Sequence, residues 1–136
     1  MQQQIREEAT IMSKSKTITV LVKEPLKNAE IREISDTLES KQAIVGGYLE
    51  SFSLNDKYVI FMNEDGKRLG LQPNLVFLPH NILLGTIFIS GIDWKEGVEI
   101  GLTQEEIEEV TKLVSKYAIK QEFEANHYVK QMKKFM

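Results

Sequence analysis

The chain has 136 residues, 42% hydrophobic and 27% charged, with 17 basic against 20 acidic residues and a net charge of -3. That is one globular domain's worth of sequence, without the basic surplus by which phosphate-neutralising proteins hold nucleic acid. It contains no cysteine, which excludes disulfides, thiolate catalysis and Cys-ligated zinc or iron–sulfur centres.

Residues 1–16, MQQQIREEATIMSKSK, are polar and glutamine-rich and lack the apolar stretch of a secretion signal. They read as a flexible polar lead-in, and no run in the chain approaches the roughly 20 apolar residues of a membrane span. A cytoplasmic location follows as the expectation. All eight glycines lie between Gly46 and Gly101, and all three prolines between Pro25 and Pro79. The chain therefore divides into a turn-rich core over 17–101 and an uninterrupted helical tail over 102–136.

In TITVLVK (17–23), Ile18, Val20 and Val22 alternate with polar residues, and Leu21 is the exception. That pattern is a strand with one well-buried face. Pro25 and Asn28 mark a turn, and Ala29 to Ile34 returns as a short strand. Asp36, with Glu39 three residues on, predicts a capping box for an early helix that buries Leu38, Ile44 and Val45 and stops at Gly46-Gly47. Tyr48 to Leu54 and Lys57 to Met62 form a hairpin, and GTIFISG (85–91), nearly all apolar or small, is a central strand.

In the tail, Thr103 and Glu106 predict a second capping box. Ile107, Val110, Val114, Tyr117, Gln121, Ala125, Tyr128, Met132 and Phe135 then form an amphipathic stripe. One helix of about 32 residues would run about 48 Å, against about 30 Å for a compact domain of this size. The tail therefore either bends near Ile119 to Glu122 or projects and buries Tyr117, Tyr128, Met132 and Phe135 on another copy. A homo-oligomer is the preferred solution; two shorter helices folded on the sheet are the alternative. The predicted class is α+β: a mostly antiparallel sheet of about five strands, one early helix and a long or broken helical C-terminal tail.

Most site chemistries find no residues. NEDGKRLGLQPN (63–74) fails the calcium-loop pattern, since aligning Gly66 at the sixth position puts Phe61 first and Gln72 last. Gly66 and Gly70 also lack phosphate-loop spacing. His80, in a loop, and His127, in the tail, are too few for a histidine metal site or triad. Neither catalytic nor metal-ligating residues are assigned, and no cofactor is called for. Glu50, Glu64 and Asp65 keep a carboxylate-based hydrolase open.

Two segments remain. Asp65-Gly66 reads as a turn, because glycine tolerates positive φ. Its flanks, Asn63, Lys67, Arg68 and Asn74, form a polar cluster. In QAIVGGYLE (42–50) the paired glycines either stop a helix or let a ligand approach the backbone closely. The order of Gln42, Val45, Gly46, Gly47 and Glu50, then Asn63, Glu64, Gly66, Lys67, Leu71 and Asn74, then GTIFISG resembles a domain family of unknown function. That family occurs mainly in bacteriophages and mobile elements of bacteria and archaea. The resemblance runs from about Thr17 to Gly91, leaves out the tail, and implies an accessory gene product acting in a host cytoplasm.

The functional expectation is a non-enzymatic protein that sequesters a small nucleotide-like molecule, such as a host defence signal. Gln42, Gly46, Gly47, Tyr48, Glu50, Asn63, Lys67, Arg68 and Asn74 are its ligand-binding candidates. Lys67 and Arg68 suit phosphate, Asn63 or Asn74 a base or ribose edge, and Tyr48 a stacked ring. The alternative is a protein-interaction module that inhibits a host enzyme through Glu105 to Glu109 or the apolar end of the tail. Nucleic acid and membrane are disfavoured as partners.

Overall fold

The computed structural model describes residues 16–77 and 81–134. The lead-in through Ser15, His80 and Phe135 lie outside the described residues. Eight strands and four helices are described: β1 (Thr17–Lys23), β2 (Glu30–Ser35), α1 (Leu38–Val45), β3 (Leu49–Ser53), β4 (Tyr58–Asn63), α2 (Gly66–Leu69), β5 (Pro73–Phe77), β6 (Asn81–Leu84), β7 (Ile87–Asp93), β8 (Val98–Ile100), α3 (Gln104–Tyr117) and α4 (Glu122–Lys134). The class is α+β.

The main sheet is antiparallel in the order β2-β1-β7-β4-β3, with β8 also paired to β7. β7 is central, as its apolar composition predicts. β5 and β6 form a separate two-stranded sheet, unforeseen in the sequence.

Both faces of the main sheet are covered, which resolves the anomaly of Leu21. Ile18, Val20 and Val22 pack with Ile34, Val45 and Phe88. Leu21 joins Tyr58, Ile60, Met62, Ile87 and Ile89 in the opposite core. That second core is closed by Ile107, Val110 and Val114 of α3 and by Leu75 and Leu83 of the small sheet. Burial of side chains of this size is worth about 1.5–3 kcal/mol each.

The N-cap of the early helix is displaced by one residue, and the reciprocal box does not form. Thr37 caps α1, its side chain accepting from the Ser40 N–H at 3.2 Å. Asp36 instead pairs with Lys41 at 2.8 Å, and Lys41 also reaches Glu99 at 3.0 Å, tying α1 to β8. Leu38, expected inside, is 57% exposed, while Val45 is buried. The Thr103–Glu106 capping box forms as expected, with both reciprocal hydrogen bonds.

The tail is two helices. Ala118 is extended (φ -73°, ψ 137°) and bridges Leu75 of β5. The Ile119 N–H donates to the Asn74 carbonyl at 2.9 Å instead of to the preceding helical turn. Ile119 is buried at this joint, and Ala125 of α4 is buried beyond it. At 1.5 Å per residue each helix is about 20 Å long, within the width of the domain. The length argument for a projecting tail therefore falls away. Tyr117 packs within the chain against Phe77, with ring centroids 4.3 Å apart and the planes tilted by 35°.

Candidate functional site

The site is assembled around a corner where α1 gives way to β3. Helix α1 stops because Gly46 turns left-handed (φ 78°), with the N–H groups of Gly46 and Gly47 both donating to the Gln42 carbonyl. The second glycine has a different cause. A Cβ on Gly47 would lie 2.8 Å from Nδ2 of Asn63, a clash no real side chain sustains. Asn63 occupies that space because its amide holds the corner. Its Nδ2 donates to the Val45 carbonyl at 3.2 Å, and its Oδ1 accepts from the Asp65 N–H at 2.8 Å. One residue on, the Glu64 N–H donates to the Tyr48 carbonyl at 2.9 Å. The two glycine-bearing segments thus meet, stitched by one buried amide and one backbone bond.

Beyond Asn63 the chain forms the single turn of α2. The positive φ falls on Gly70 (67°), not on Gly66 as the Asp-Gly signal suggests. Gly66 is instead closely packed: a Cβ there would sit 3.2 Å from the Leu84 Cβ, tighter than an ordinary van der Waals contact. α2 leaves Lys67 and Arg68 exposed, with Arg68 meeting Asp65 at 3.2 Å.

A groove of about 500 Å³ runs beside this turn. Glu50, Asn63, Glu64, Asp65, Lys67 and Arg68 supply its polar wall, and Met62, Ile82, Leu84 and Met132 its apolar one. Acids and bases face a shared apolar floor, an arrangement that suits a small molecule carrying both an anionic group and hydrogen-bond donors. Of the expected ligand-binding residues, Glu50, Asn63, Lys67 and Arg68 line this one groove.

The others are placed differently. Gly46 and Gly47 stand at the corner behind Asn63 and do not line the groove. Tyr48 is 69% exposed, and Gln42 serves the helix stop through its carbonyl. Asn74 is fully buried; its Nδ2 donates to the Lys23 and Gly85 carbonyls, both at 2.8 Å, and its Oδ1 accepts from the Lys23 ammonium at 3.1 Å. Its amide is committed to the fold and has no face toward the groove. Met132, named above among the interface candidates, lines the groove. Lys23 is 4% exposed and was unforeseen, since a lysine closing an alternating strand reads as its solvent side. Among the described residues no group of three or more His, Asp or Glu side chains is placed to hold a metal ion, and no helix is long and apolar enough to cross a membrane.

The profile of a domain of unknown function, DUF3846, matches residues 18–115, from β1 nearly to the end of α3. The chain belongs to the DUF3846 family. No curated protein and no solved structure matches it. The DUF3846 match extends past Gly91, the limit of the likeness seen in the sequence motifs, and takes in β8 and most of α3. This agrees with the packing, because Ile107, Val110 and Val114 of α3 are core residues of the DUF3846 domain.

Proposed function

We propose that this DUF3846 protein is a non-enzymatic binding protein that captures a small nucleotide-like molecule in the groove between Glu50 and α2. The observation that carries the reading is the Asn63 corner, which brings Glu50 and the segment from Asn63 to Arg68 to one groove of about 500 Å³. That size falls within the range of small-molecule sites. Lys67 and Arg68 neutralise the phosphate, Glu50 accepts from the donor edge of the base or ribose, and the apolar floor takes the ring. Resemblance of the sequence motifs to domains of bacteriophages and mobile elements supports an accessory, sequestering role in a host cell, with a defence signal as the captured molecule.

Isothermal titration against cyclic nucleotides and ADP-ribose derivatives tests the reading. Saturable heat for one of them, lost in Lys67→Ala/Arg68→Ala, is the expected result. Folded protein giving no heat with any of them contradicts it.

One observation favours a second reading, a protein-docking role for the tail: Phe123 at the start of α4 is 67% exposed. Phe123→Ser is the discriminating variant, because it alters that surface without touching the buried Ile119 and Ala125. Its loss of partner capture, with small-molecule binding intact, would move the function to the tail.

A further inference from the structure

A second cavity, of about 480 Å³, lies between the β1–β2 turn and the α3–α4 joint, and shares no lining residue with the Glu50–α2 groove. Three lysines line it: Lys23, Lys27 and Lys120. Its other polar groups, Asn28, Thr111 and Ser115, are neutral, and no carboxylate lines it. Lys23 is the unusual member. It is 4% exposed, yet no carboxylate among the described residues lies within ion-pair distance of it. Its ammonium donates to the Glu24 carbonyl at 2.8 Å and to Asn74 Oδ1 at 3.1 Å. An ammonium has three donors, so one is left beside the cavity. Burial accordingly pushes the Lys23 ammonium below the ordinary lysine value. A buried cation is normally paired, and an unpaired one is costly to keep.

The turn that follows Lys23 carries a second irregularity. The Lys27 N–H donates to the Glu24 carbonyl at 3.2 Å, closing a turn with Pro25 second and Leu26 third. Leu26 has φ 65°, the sole non-glycine residue with positive φ among those described, at a place where such turns ordinarily use glycine. Left-handed backbone at a leucine is strained, and the strained residue lines this cavity. Strained backbone and an unpaired buried charge thus coincide at one concavity, as they do at binding sites.

We propose that this cavity binds the phosphate group of a small phosphorylated molecule, with Lys23 as the enclosed cation and Lys27 and Lys120 at its mouth. Two opposing charges are near. Glu24 lies 3.5 Å from Lys27, and the C-terminal end of α3 adds about half a negative charge. Three lysines outweigh both, and a surplus of that size fits a dianionic phosphate better than a singly charged carboxylate. The apolar side chains of Leu26, Val114 and Ile119 offer a surface for an organic body attached to the phosphate.

Amide NMR titrations of the full chain with inorganic phosphate, AMP and acetate test this. Phosphate and AMP are expected to give saturable shifts at Lys27 to Ala29 and Thr111 to Lys120, and acetate much weaker ones. Tighter binding of AMP assigns the site to a phosphomonoester, and equal binding to free phosphate. Lys120→Glu, an exposed change that leaves the core intact, is expected to weaken phosphate about tenfold or more. Lys67→Ala/Arg68→Ala should leave these shifts unchanged, which separates this cavity from the other groove. Shifts absent at millimolar phosphate, acetate binding as well as phosphate, or full affinity in Lys120→Glu or in a folded Lys23→Met would overturn the proposal.

Discussion

Asn63 and Gly47 are a coupled pair, and their coupling can be measured. Asn63 is 5% exposed and satisfies two backbone groups, so Asn63→Ala is expected to cost about 1–3 kcal/mol. Gly47→Ala drives a methyl group into the same amide and is expected to cost about 1–3 kcal/mol. Combined, they should cost clearly less than their sum, because the truncated residue 63 vacates the space the new methyl needs. Urea unfolding of the three variants checks this; strict additivity would mean the two residues do not meet. The two buried lysines carry opposite pH signatures. Lys23 has a folded pKa below its ordinary 10.5, so the unfolded chain binds more protons between the two values. Stability from this residue rises with pH across that window, and Lys23→Met should abolish the rise. For Lys41, burial pulls the pKa down, but the hydrogen bonds and charges of Asp36 and Glu99 more than offset it, and the net shift is upward. Its contribution is complete below 10.5 and lost as pH climbs through the folded value.

At the scale of elements, the α3–sheet contact carries a polar bond at the edge of an apolar core. Tyr58 is fully buried on β4, and its hydroxyl donates to Glu109 of α3 at 2.7 Å. Burial first, then that bond, pushes the phenol well above its ordinary value. Tyr58→Phe is expected to lower stability by about 1–3 kcal/mol, since the acceptor is charged. It should also remove part of the alkaline loss of stability, because the folded phenol keeps a proton that the unfolded one releases. Denaturant melts at neutral and alkaline pH check both. Which elements were legible in the sequence follows from how local their causes are. The Thr103–Glu106 box, the stop at Gly46-Gly47 and the central β7 were readable because capping, left-handed glycine and continuous apolarity act within a few residues. The displaced cap of α1 was not, since Asp36 is drawn away by Lys41, a preference visible only once β8 brings Glu99 alongside. The end of α3 was legible only as one alternative, a bend near Ile119 to Glu122 argued from length, because the backbone bond to Asn74 and the bridge to Leu75 that make it are not local. The candidate site was half legible. Polar clustering pointed to Asn63, Lys67 and Arg68, and the glycine segment to Glu50, but the same clustering included Asn74, whose amide the fold uses internally.

For the whole molecule, the boundary of the family match poses a definite question about α4. The match ends at residue 115, before the joint and α4, and the joint itself is anchored by Ile119. A chain ending after Gln121 keeps that anchor and is expected to fold with its α+β spectrum intact, though less stable through exposure of the surface around Ala125. It also loses Met132 from the groove wall, so affinity for the groove's ligand should fall while phosphate binding beside Lys23 persists. Circular dichroism and parallel titrations of full and shortened chains check this. Equal loss at both places would mean that α4 supports the fold and not the groove. The central claim is that the Asn63 corner builds a groove that holds a small nucleotide-like molecule. Amide NMR mapping with cyclic nucleotides and ADP-ribose derivatives tests it most directly. Saturable shifts concentrated at Glu50 and from Asn63 to Arg68, abolished by Lys67→Ala/Arg68→Ala, are the result expected. A fully folded protein whose groove amides stay unmoved by every compound would contradict it.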